Sequence, residues 1–62
     1  MKIIQVDNFD REHISDKLIC ENVSEYMGKT IVELLNGKMS GDTSPVYFRL
    51  VEDNHKLYKF EP

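Results

Sequence analysis

Sixty-two residues make one domain, 1–62, and at this length only about 60% of the unfolded chain's surface is buried on folding, so stability is modest and association can add to it. Apolar residues at 40% and charged residues at 31% exclude a disordered chain. A formal charge of −3, from 8 Lys+Arg against 11 Asp+Glu, disfavours nucleic acid as the main partner, because a duplex binder carries excess positive charge to displace counterions from phosphate.

Met1–Asp7 is too short and too soon interrupted by polar residues for a signal peptide, and no apolar run approaches membrane-spanning length. One cysteine, Cys20, cannot form an internal disulfide. A cytoplasmic protein without membrane attachment is expected.

Ile3, Ile4 and Val6 are β-branched between Lys2 and Asp7, which predicts a short first strand. Asp10 then suits the cap of a first helix over about Arg11–Glu21, with Phe9 and Ile14 as its hydrophobic staple. At helical spacing Ile14, Leu18 and Ile19 share the core side, while His13, Asp16, Lys17 and Cys20 fall opposite.

Asn22 or Ser24 caps a second helix: Asn22 has capping-box spacing to Glu25, and Ser24 is the better small hydroxyl. Met27, Ile31, Leu34 and Leu35 form its predicted core stripe, with Lys29, Glu33 and Asn36 on the reverse. Gly28 beside that stripe costs about 1 kcal/mol of helix propensity, which close approach of another backbone would offset. Asn36-Gly37 predicts the helix end, and Ser40–Pro45 a polar connection.

Val46–Val51, Glu52-Asp53-Asn54 and His55–Phe60 read as a hairpin with apolar groups on both faces. A three-residue loop with Asn54 left-handed sets Phe48 opposite Tyr58 and Leu50 opposite Lys56, grouping Val46, Phe48, Leu50, Tyr58 and Phe60 in the core. A two-residue Asp53-Asn54 turn would instead move Tyr58 and Phe60 to the other side. The first register concentrates the aromatics on one face and is preferred. It leaves Tyr47, Arg49, Val51, Leu57 and Lys59 outside.

The architecture expected is α+β, in the order β-α-α-β-β, with a three-stranded sheet and a two-helix hairpin packed on one face. Pairing of the first strand with Val46–Val51 would make the sheet fully antiparallel, and pairing with His55–Phe60 mixed.

No constellation points to catalysis. His13, Asp16 and Cys20 have i, i+3, i+7 spacing and are zinc-compatible types, but a closed site needs a fourth ligand, and a solvated helix face explains them. Seven residues of helix separate His13 from Cys20 by about 10 Å along the axis, too far for a thiol and its base. Asp7, Asp10 and Glu12 surround the first strand's exit, where capping and the helix dipole account for them without a cation. No glycine-rich phosphate cradle or nucleophile elbow is present. No metal, cofactor or enzymatic activity is expected.

Val6-Asp7-Asn8-Phe9-Asp10-Arg11-Glu12, Glu21-Asn22-Val23 and Tyr58-Lys59-Phe60-Glu61-Pro62 resemble stretches of short uncharacterised proteins of phages and mobile elements of Firmicute-type bacteria. The resemblance implies a bacterial, intracellular accessory role and no activity. The function expected is therefore that of a small non-enzymatic protein binding a protein partner or itself through the outer face or edge of the C-terminal hairpin. Tyr47, Arg49, Val51, Leu57 and Lys59 are its candidate contacts. The alternatives are weak single-stranded nucleic-acid binding through Tyr47 and Arg49, and a metal- or thiol-dependent enzyme centred on His13 and Cys20.

Overall fold

Ile3 and Ile4, adjacent in sequence, are both completely buried, so their strand is covered on two faces. The structure, a computed structural model, describes residues 1–39 and 44–61; Ser40–Thr43 of the expected connection lie outside the described residues. β1 (Lys2–Asp7) is the middle strand of a three-stranded antiparallel sheet, flanked by β2 (Lys17–Cys20) and β3 (Val46–Val51). Among the described residues one helix, α1 (Glu25–Met39), packs on β3 and more lightly on β1, and its backbone stays farther from β2. The element order is β-β-α-β.

The predicted first helix does not form, and its second half is β2. Asp7 diverts the backbone before a helix can start: its Oδ2 accepts the N–H of Phe9 at 3.3 Å and of Arg11 at 2.7 Å. Asp10, the expected cap, is left-handed at φ 52°. Lys17–Cys20 then pairs with the edge of β1 that β3 leaves open, a tertiary gain that outweighs helical periodicity in so short a run. The register is Gln5 to Lys17, Ile4 to Leu18 and Ile3 to Cys20, so Ile19 is absorbed in a bulge. Leu18 and Ile19, expected in the core, are exposed on this edge, and Ile14 is half-buried.

The predicted last strand is also absent. β3 pairs with β1 from Lys2–Val51 to Asp7–Val46, which makes the sheet fully antiparallel. A hairpin partner would need the other edge of β3, and α1 already holds it. Asn36 Nδ2 donates to the Phe48 carbonyl at 3.0 Å, and the Phe48 N–H donates to Asn36 Oδ1 at 2.8 Å. One side-chain amide thus replaces a neighbouring strand there.

After a turn in which the His55 N–H meets the Glu52 carbonyl at 3.0 Å, residues 55–61 run to the β1–β2 loop. Asn54 is not left-handed. The Asp16 N–H donates to the Tyr58 carbonyl at 2.8 Å, the Tyr58 N–H to Asp16 Oδ2 at 2.8 Å, and the Phe60 N–H to Ser15 Oγ at 2.9 Å. Tyr58 and Phe60 are therefore surface groups, not the expected core pair.

Ser24 does cap the helix, accepting the Met27 N–H on Oγ at 3.2 Å, while Asn22 is left-handed at φ 62°. The helix continues through Gly37, which has no positive φ, to Met39. Its rotation differs from the predicted one. Gly28, Val32 and Leu35 are turned to the sheet, Asn36 reaches past the sheet edge, and Met27 and Leu34 of the expected core stripe lie open. The neighbour that Gly28 admits is the Leu50 side chain rather than a backbone.

Candidate protein-contact surface

Directly opposed residues of a sheet share a face, so Ile3, Gln5, Phe48 and Leu50 look toward α1 together with Cys20 and Lys17. Ile4, Val6, Leu18, Tyr47, Arg49 and Val51 look away. Among the described residues no helix covers that second side, yet Ile4 and Val51 are buried on it. Irregular chain lies beside Val6 on that side: Val6, Arg11, Glu12 and Tyr58 line one cleft, and the Tyr58 hydroxyl donates to the Glu12 carbonyl.

This second cover decides where contact surface is left. Val51 is only 6% exposed, Tyr47 and Leu57 are half-buried, and Arg49 and Lys59 are exposed. The hairpin that was to present these five residues together does not form.

Open apolar surface lies instead on α1. Tyr26 is 79%, Met27 53% and Leu34 58% exposed. At about 100° per residue, Glu25, Lys29, Glu33 and Asn36 occupy an arc of about 80°. Roughly two-thirds of the circumference carries no charge except Lys38 at its far end. The sheet covers only the Ile31, Gly28, Leu35 and Val32 part of that arc. Apolar spacing alone predicts Met27, Ile31, Leu34 and Leu35 as a core stripe. The signal of a surface was present, since the uncharged arc is wider than one sheet can cover.

The clusters weighed for chemistry fall apart or hold each other. His13 lies in a loop, Asp16 precedes β2 and Cys20 ends it, so the helical spacing that grouped them is gone. No three His, Cys, Asp or Glu among the described residues stand close enough to hold a metal ion. Asp7 is buried and bound to Arg11 through the backbone N–H and through Nε at 2.9 Å, with a further bond from the terminal guanidinium nitrogen. Arg11 also lies 5.4 Å from the Phe9 ring centre.

The Arg11 side-chain hydrogen bond is the main reason that the Asp7 carboxyl lies below its ordinary 3.8; the Arg11 and Phe9 N–H groups add to it and burial opposes it. Folded protein then binds fewer protons than unfolded in this range, so Asp7 contributes stability above its ordinary value that is lost as pH falls through the lowered one. Chemical unfolding between about pH 5 and 2 should show the stability difference between wild type and Asp7→Asn shrinking with acidification. A difference that is constant across this range would contradict the assignment.

No helix of the described residues is long and apolar enough to cross a membrane. Compared with known proteins, the chain matches no family model, no curated protein and no solved structure.

Proposed function

We propose that the protein is a small non-enzymatic interaction protein that docks on another protein surface through α1. The observation that carries this reading is the exposure of Tyr26, Met27 and Leu34 on a helix whose other side is already packed. Large apolar side chains grouped on one flank of so small a molecule match the composition of contact surfaces, in which Tyr and Met are enriched. The proposed site is thus the helix rather than the sheet's outer face, where Arg49 remains exposed, as is Lys59 on the C-terminal segment. The bacterial, intracellular setting attached to this reading rests on the resemblance of Val6–Glu12 and Tyr58–Pro62 to short phage and mobile-element proteins.

Photo-crosslinking tests it. With a photoreactive residue at position 26, in cells producing the protein, a discrete protein adduct is expected, and Leu34→Glu should abolish it. The same residue at position 29, on the charged arc, should give none. Equal labelling at both positions, or an adduct indifferent to Leu34→Glu, would remove the helix face from the proposal.

A further inference from the structure

We infer that the occupant of this surface is a second copy of the chain, packed face to face about a two-fold axis with the two α1 helices antiparallel between the two sheets; the inference rests on the docking role of α1. Each protomer has two uncovered parts on the same face. One is the helix flank of Met27 and Leu34, with half-buried Ile31 between them. The other is the helix-side strip of β2, which the α1 backbone does not approach and which carries exposed Lys17 and half-buried Cys20, with the exposed bulge residue Ile19 between Leu18 and Cys20 on the same strand. A three-stranded sheet is wider than the single helix lying along its β3 side, so the strip beside α1 has room for another helix. A two-fold axis sets the helix of each copy into the strip of the other, and both needs are met by one self-complementary contact.

The orientation follows from where α1 meets the sheet. Gly28 stands at Leu50, in the row of Ile3 and Cys20, and Asn36 at Phe48, in the row of Gln5 and Lys17. The C-terminal end of α1 therefore shares one end of the face with Lys17, and Lys38 adds a second cation there. An antiparallel helix brings its first turn, which carries Glu25, level with these lysines, and the two helix dipoles oppose. Met27, Ile31 and Leu34 have the four-then-three spacing of a helix-pair seam. Centring the axis near Thr30 and Ile31 sets Met27 of each copy against Leu34 of the other. Edge pairing is the less favourable route to a dimer, because Asn36 occupies the β3 edge and the bulge at Ile19 interrupts β2.

The full chain, run on size exclusion with light-scattering detection over a concentration series, should show a mass twice that of the protomer. Leu34→Glu should raise the dissociation constant about a hundredfold, because the symmetry repeats a loss of about tenfold at two places. Its circular dichroism and unfolding midpoint should stay those of the wild-type monomer, since Leu34 is exposed. In a Cys20→Ser background, Met27→Cys combined with Leu34→Cys should oxidise to a covalent dimer, and neither cysteine alone should do so. Covalent dimers from the single-cysteine variants would overturn the antiparallel arrangement. A protomer mass at every concentration would overturn the second copy altogether; a position-26 photo-adduct to a different protein would then still support docking through α1, whereas its absence would remove both.

Discussion

Replacing Asn36 by alanine should lower the unfolding free energy by about 2–4 kcal/mol, because it strips partners from two backbone groups at once. The Phe48 N–H and carbonyl face away from β1, and the Asn36 amide is the partner of each. Phe48 is itself a core residue, so its backbone cannot swing into solvent without moving its ring. A domain of this size has a total stability of about 3–9 kcal/mol, which makes the loss a large share of the whole. Urea unfolding measures it, with Lys29→Ala on the solvent side of the same helix as the comparison, expected within about 0.5 kcal/mol of wild type. The exposed edge should also make Asn36→Ala more prone to self-association at high concentration. An Asn36→Ala loss no greater than that of Lys29→Ala would mean that water replaces the amide and that the helix does not seal the strand.

What the sequence made legible were the elements whose local and long-range preferences agree. Ile3-Ile4 and Val46–Val51 are runs of β-branched and aromatic residues that the sheet also needs, and Ser24 is a cap next to a helix that packs. The structure departs from the expectation where another side chain's hydrogen bonds override a cap or stop signal. Asp10 has the spacing of a helix cap, but Asp7 takes the N–H groups of Phe9 and Arg11 and forces a turn. Asn36 next to Gly37 is a stop signal for an isolated helix, yet its amide is engaged 12 residues away in β3, and the helix runs on. The rotation of α1 is set by that contact and by the space at Gly28, neither of which leaves a trace in apolar periodicity. Met27 and Leu34, expected in the core, therefore lie open on the helix surface. The absent second hairpin strand has the same origin, since it would have needed the strand edge that Asn36 holds.

Gly28 supplies the other large effect. A Cβ added there would stand 2.4 Å from Leu50 Cδ1 and 3.2 Å from Cδ2, so alanine gains about 1 kcal/mol of helix propensity and loses it to overpacking. The Leu50 branch is flexible and half-buried, and Gly28→Ala alone should be close to neutral or slightly destabilising. Valine at the same position adds two more carbons toward β3 and should cost about 2–3 kcal/mol. The decisive measurement is the sign in a second background. Leu50→Val removes the two nearest atoms, and in that background Gly28→Ala should become stabilising by up to about 1 kcal/mol. Equilibrium unfolding of the four proteins closes the cycle, and non-additivity of at least about 0.5 kcal/mol is expected for residues in contact. If the two substitutions add independently, Gly28 is not the residue that lets α1 approach β3, and the rotation that leaves Met27 and Leu34 exposed needs another cause.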